Sequence, residues 1–337
     1  MKKHLWAIFF SAALIAFTVY IALDTFVLST GYAAATDMNT EMFSDVSDSS
    51  QTTIPTESSA LADDNNNSSS SKHKGKSSSD SSDNGSSNLI DNDLLSTYSD
   101  ENTYVTDNYT ITLTEYYQYD TKIYVADVTL SSAQYLKTAL ANDTYGKNIT
   151  AKTSAIAQEN DAVLAINGDY YGVQESGYVI RNGIVYRDTA KGSDVLCIYA
   201  DGTMEVVSDY EYTADELAAK GVWQAFTFGP ALVENSAITV GVNDEVGKAM
   251  ASNPRTAIGM IDANHFVFVV SDGRTSESAG LSLYELATFM QSLGVKTAYN
   301  LDGGGSSTMY FNGSVVNNPT TGGSIKERGV SDIVYIG

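Results

Sequence analysis

The sequence predicts an α+β fold: a single large domain over residues 98–337, on a mixed, largely antiparallel sheet with flanking helices, preceded by a membrane segment and a disordered linker. Three observations predict it. Branched and aromatic residues alternate with polar ones in short runs that break at Asn-Gly and Asp-Gly dipeptides, the pattern of hairpins. Between those runs lie amphipathic stretches opened by Ser/Thr-x-x-Glu capping boxes, the pattern of helices. The first hundred residues fit neither pattern and separate by composition alone.

Residues 1–35 are the expected anchor. Lys2 and Lys3 precede an almost wholly apolar run over 5–23, long enough at about 1.5 Å per residue to cross a hydrocarbon core of roughly 30 Å. Positive charge ahead of the run predicts a single-pass cell-membrane protein whose C-terminal domain is extracellular. Ala33-Ala34-Ala35 offers the small residues of a cleavage site, so a secreted form is the alternative. Residues 36–97 are dominated by Ser, Asp, Asn and Thr and cannot bury enough apolar surface to offset the entropy of ordering. They predict a flexible tether.

From residue 98 onward, 109–117 and 121–130 alternate as a hairpin, and 131–141 and 150–158 read as helices. An apolar strand over 162–166 follows. Two hairpins come next, 177–188 turning at Asn182-Gly183 and 194–207 turning at Asp201-Gly202. Thr213-x-x-Glu216 and Ser282-x-x-Glu285 open two further helices; in the second, Leu286, Phe289, Met290 and Leu293 form one apolar stripe that Gly294 stops. Residues 255–261 and 265–271 predict another antiparallel pair.

Charge and rare residues exclude several functions. A net charge of −22 argues against nucleic-acid binding, which normally needs a basic face. The single cysteine, Cys197, rules out an internal disulfide and a multi-thiolate metal site, and its apolar surroundings predict a packing role. His265 is the one histidine after residue 97, which excludes paired-histidine metal motifs there.

Chemistry concentrates in two loops of similar construction. The apolar run 295–299 ends in Asn300-Leu301-Asp302-Gly303-Gly304-Gly305-Ser306-Ser307-Thr308, where a carboxylate, three glycines that leave their amides uncovered and a row of hydroxyls converge. No lysine follows the glycines as a nucleotide-phosphate loop requires, and Ser306 lacks the flanking glycines of a nucleophile elbow. The strand over 162–166 runs into Asn167-Gly168-Asp169-Tyr170-Tyr171-Gly172. Paired carboxylates and aromatics suit a sugar site, and two independent Asx-Gly turns are the competing reading. All five arginines, Arg181, Arg187, Arg255, Arg274 and Arg328, fall in the folded region, where their planar forks suit phosphate or carboxylate.

Together these pieces resemble the phosphodiester glycosidase family: Asn167-Gly-Asp-Tyr-Tyr171, Arg255-Thr-Ala-Ile-Gly259, Asp272-Gly-Arg274, the helix over 283–293, Asn300-Leu-Asp-Gly-Gly-Gly-Ser-Ser307 and Arg328-x-x-Ser331-Asp332. The resemblance implies extracellular hydrolysis of the sugar C1–phosphate bond of a glycosyl phosphodiester in cell-wall or exopolysaccharide material. It implies Asp302 and Asp169 as the catalytic carboxylates, in an order the sequence leaves open. Arg255 and Arg328 are then expected on the phosphate with the amides of Gly303, Gly304 and Gly305, while Arg274, Asn167, Gly168, Tyr171, Asn300 and Ser306 complete the binding surface. No cofactor is required by the sequence; a calcium or magnesium ion on these carboxylates stays open. The expected partners are a glycosyl-phosphate carbohydrate and, through the N-terminal helix, a membrane. Two other functions stay open: a non-catalytic exopolysaccharide-binding or assembly protein, and a phosphodiesterase that cuts the other side of phosphate.

Overall fold

Alternation sets the longest hairpin, in which Tyr109–Gln118 pairs with Thr121–Leu130 across a turn at Tyr119 and Asp120, both with positive φ. Odd-numbered residues of the first strand and even-numbered residues of the second face the main core; Tyr116 and Ile123 face the other way. The computed structural model describes residues 13–20, 30–31, 97–99, 102–244 and 252–337.

Among the described residues three large sheets, of nine, five and five strands, form the domain beside three two-stranded ladders. The nine-stranded sheet contains the long hairpin, His265–Ser271, Thr256–Asp262, Thr297–Asn300 and Ala231–Glu234, adjacent in that order. The second sheet places Leu164–Asn167 between Met309–Phe311 and Asp332–Ile336, with Lys137–Leu140 beyond the latter. In the third, Val222–Phe226 lies between Val179–Arg181 and Asp194–Tyr199. One apolar cluster joins all three, drawing Phe268 and Tyr299 from the first sheet, Ile166 and Val334 from the second, and Leu196 and Phe226 from the third.

Helices cover the outer faces. Leu283–Ser292 packs Leu286, Phe289 and Met290 on the nine-stranded sheet. Ala214–Ala219 packs Leu217 and Ala218 on the third sheet, and Thr153–Glu159 packs Ile156 on the second. Both capping boxes form: the Ser282 and Thr213 hydroxyls accept from the Glu285 and Glu216 amides at 3.2 Å, and each glutamate accepts in return from its cap. Cys197 is a buried packing residue.

The fold class needs correction. Every ladder among the described residues is antiparallel, and the architecture is richer in strand than an α+β reading implies. The long helical connection through Leu283–Ser292 joins two strands that flank Thr256–Asp262 on either side, so it adds no parallel ladder. The expected helix over 131–141 is instead a single 3₁₀ turn, Ala133–Tyr135, followed by the strand Lys137–Leu140. Pairing with Asp332–Ile336 overrides local preference there. Among the described residues no helix is long and apolar enough to cross a membrane. The expected anchor over 1–35 and tether over 36–97 lie outside the described residues, apart from 13–20, 30–31 and 97.

Candidate active site

Both loops singled out from the sequence leave central strands, and the structure brings them together. The Asn167 side chain is the clasp. Its Nδ2 donates to Asp302 O at 2.6 Å, and its Oδ1 accepts from Thr256 Oγ1 at 2.8 Å and from Thr308 N at 3.3 Å. The Asp302 amide donates to Gly168 O at 3.2 Å. A buried amide side chain thereby satisfies backbone groups of two loops that no sheet ladder reaches.

Asp302, Gly303 and Gly304 line a cleft of about 170 Å³ together with Arg255, Arg274 and Arg328. Arg328 Nη2 donates to Asp302 Oδ2 at 2.7 Å, and its Nε and Nη2 both donate to Ser306 Oγ. Arg274 donates through Nε and Nη2 to Asn253 Oδ1 at 3.2 and 2.8 Å. Arg255, almost fully buried, donates through Nε to Leu281 O at 2.9 Å. Burial pushes the Asp302 carboxyl above its ordinary range, and the Arg328 charge pulls it back. Asn300 also lines the cleft; its Nδ2 donates to Gly229 O at 2.7 Å, while its buried Oδ1 accepts no hydrogen bond.

The glycines are required by packing rather than by open amides alone. A Cβ on Gly303 would stand 2.9 Å from Pro254 O, and one on Gly304, whose φ is +62°, would stand 2.9 Å from Arg274 Nη2. The Gly304 amide is committed, donating to Pro254 O at 2.8 Å. It therefore does not point at an anion as expected.

Asp169 sits elsewhere. It is buried beneath the loop, where Oδ1 accepts from Arg181 Nη2 at 2.8 Å and from Tyr171 N, and Oδ2 accepts from Thr227 N at 3.0 Å. Arg181 also donates through Nε to Asp332 Oδ2 at 2.7 Å and through Nη1 to Ile180 O and Ala225 O. One guanidinium on the third sheet thus joins a carboxylate of the second sheet to one of a loop. Gly168 makes room for the third member: a Cβ there would lie 2.1 Å from Asp332 Oδ1. Sequence reasoning missed Arg181 and Asp332 as site residues. The available signal was a charged residue, Arg181, closing the apolar strand run 178–180.

Tyr171 does not face the cleft. It is 2% exposed and stacks on Tyr145 at a centroid distance of 5.0 Å. Its neighbour Tyr170 is 39% exposed, adopts a left-handed backbone at φ 68°, and holds its ring 5.7 Å from the Arg328 guanidinium carbon. A non-glycine residue kept in that region is strained, a frequent property of functional loops. His265 lies at the far hairpin turn, its Nε2 3.0 Å from Asp127 Oδ1.

The carboxylates do not fit a divalent ion. Asp302 and Asp169 each pair with an arginine, and among the described residues no three His, Cys, Asp or Glu side chains converge as a cation shell.

Residues 160–337 match the family model for phosphodiester glycosidase. The chain belongs to the phosphodiester glycosidase family. It is 32% identical over 190 residues to a prophage-derived uncharacterized protein of Bacillus subtilis, covering 54% of this chain and 29% of that one. It is 29% identical over 186 residues to human N-acetylglucosamine-1-phosphodiester alpha-N-acetylglucosaminidase, covering 50% of this chain and 36% of the human protein. The chain thus spans about a third of the length of these relatives. The zebrafish catalytic domain of the same named enzyme, solved in a form auto-inhibited by its pro-peptide, superposes with a TM-score of 0.54 at 19% identity over 68% of this chain and 82% of that one. A hypothetical protein from Synechocystis superposes with a TM-score of 0.53 at 16% identity, over 68% and 62% of the two chains. These two likenesses are of fold.

Proposed function

We propose that this domain hydrolyses the sugar C1–phosphate bond of a glycosyl phosphodiester. The observation that carries the reading is the cleft itself, where Arg255, Arg274 and Arg328 surround the one carboxylate, Asp302, that lines it. Three guanidinium groups supply the charge a phosphodiester needs. The single carboxylate supplies what phosphate alone does not call for, a negative group to face the cationic sugar-like transition state.

In this reading water adds to C1, the C1–O bond breaks, and the electron pair leaves on a phosphate oxygen. The departing phosphate monoester is a stable anion, so the arginines do much of the work by stabilising charge that develops as the bond lengthens. Asp302 is the reacting carboxylate, and a proton from water passes to the carboxylate side of the site. Asp169 is a positioning residue, since both its oxygens are taken by Arg181 and backbone amides beneath the loop. The domain works outside the cytoplasmic membrane, tethered through the apolar run 5–23, on cell-wall or exopolysaccharide material. Homology to the human enzyme supports an N-acetylglucosamine-type sugar as the first substrate to try.

The test uses the full chain in detergent with UDP-N-acetylglucosamine in oxygen-18 water. Label in the C1 hydroxyl of the released sugar is the expected result. Label in the phosphate alone would mean attack at phosphorus, release of sugar 1-phosphate would place the cut on its other side, and absence of turnover on a panel of glycosyl phosphodiesters would favour a binding protein.

A further inference from the structure

The catalytic cleft is small. At about 170 Å³ it falls below the roughly 300–1,000 Å³ of ordinary ligand pockets, whereas a second groove, of about 880 Å³, lies within that range. This groove runs between the long hairpin and the hairpin around Asn312, and its walls include Asn102, Leu113, Glu115, Tyr124, Phe311 and Ser314.

Its chemistry differs from that of the cleft. No arginine or lysine lines it, and its one charged lining residue, Glu115, has Lys122 Nζ 3.5 Å away. The remaining polar walls are hydroxyls and amides, set beside aromatic rings. Strand alternation adds a further aromatic, because Leu113, Glu115 and Tyr117 share one face of Tyr109–Gln118. Tyr117 is 62% exposed, beyond Glu115 on that face and paired across the hairpin with Lys122. An exposed aromatic beside neutral hydrogen-bonding groups suits a ligand with both an apolar face and many hydroxyls.

The two sites are neighbours. The Tyr124 hydroxyl, in the groove, donates to Asp272 Oδ2 at 3.5 Å, and Arg274, two residues on, lines the cleft. Asn317 and Asn318 clamp the same Asp272 carboxylate from the segment that follows Val316, a groove residue. A single short stretch of chain separates the pair.

We propose that this groove is a second binding site that takes a neutral oligosaccharide, the uncharged part of the substrate, while the cleft takes its phosphate. The assignment to substrate rests on the proposed hydrolase function; the binding of neutral saccharide does not.

The test titrates the full chain in detergent with two uncharged probes, the tetrasaccharides of β-1,4-linked N-acetylglucosamine and of α-1,4-linked glucose, followed by saturation-transfer NMR and calorimetry. Saturable binding of at least one probe is expected. Tyr117→Ala, an exposed position, and Ser314→Tyr, which fills the groove, should each weaken it tenfold or more while leaving hydrolysis of UDP-N-acetylglucosamine unchanged. Arg328→Lys should leave probe affinity unaltered. Failure of both probes to bind, or binding that Arg328→Lys abolishes and Tyr117→Ala spares, overturns the proposal. Failure of hydrolysis alone would strike the proposed reaction and leave the binding result standing.

Discussion

Arg328 Nη2 donates to Asp302 Oδ2 at 2.7 Å, so the cation assigned to phosphate and the carboxylate assigned to C1 form an ion pair with each other. In the proposed reaction an arriving phosphate shares Arg328 with Asp302. Part of the charge that holds the carboxylate ionised is then drawn toward the leaving group.

This pairing has a pH signature. Burial raises the Asp302 carboxyl and Arg328 lowers it, so removing the guanidinium leaves the raising influence unopposed. Arg328→Gln is expected to move the acid limb of the kcat/KM profile to higher pH, because the ionised carboxylate is then lost earlier on acidification. A limb that does not move would separate Asp302 from the ionisation that limits turnover.

Asp302→Asn keeps the shape of the side chain and removes its charge. The variant should lose about a hundredfold or more in kcat, the scale of a lost acid-base or electrostatic group, with a melting temperature close to that of the parent. Steady-state kinetics beside calorimetry check both parts, and wild-type turnover would strip Asp302 of its role.

Arg181→Met should act on stability instead. Deleting the guanidinium leaves Asp169 and Asp332 buried and facing one another, and breaking a buried pair by removing one partner costs about 3–5 kcal/mol. Urea unfolding at neutral pH is the measurement. A loss under about 1 kcal/mol, the scale of an exposed pair, would mean that water reaches the triad.

Asp332 gives a pH-dependent stability with a definite sign. Burial is the largest influence on its carboxyl, pushing it up to about 6 from the ordinary 3.8, with Arg181 opposing and Asp169 adding. The folded protein therefore keeps a proton that the unfolded chain releases between those values. The contribution of this group is full below 3.8 and is lost as pH rises through about 6. The melting temperature of Asp332→Asn, taken relative to wild type, should accordingly increase from the lower to the upper end of that window. A constant difference across the window would show that Asp332 does not titrate there.

Much of the fold was legible because its signals are local. The turns at Asn182-Gly183 and Asp201-Gly202 and the caps at Thr213 and Ser282 are decided within a few residues, and all four formed. The strand Lys137–Leu140 was not, because its partner lies near the other end of the domain. The same distinction divides the site. Asp302 beside three glycines announces a loop in the sequence, and it does line the cleft. The burial of Asp169 depends on Arg181, and Arg181 in turn on Asp332, at separations of 12 and 151 residues. Neighbouring tyrosines were likewise indistinguishable until packing buried Tyr171 against Tyr145 and left Tyr170 at the surface.

The strand Asp332–Ile336 lies inside its sheet, bonded on one side to Leu164–Asn167 and on the other to Lys137–Leu140. Two strands made early in synthesis must therefore wait, edges open, for one made about 170 residues later than the nearer of them. Until it inserts, Arg181 lacks Asp332, and the loop that carries Asn167 has no floor. A nascent chain thus holds no assembled cleft until Asp332–Ile336 has been made and paired. Assembly of the cleft thereby waits on that one strand.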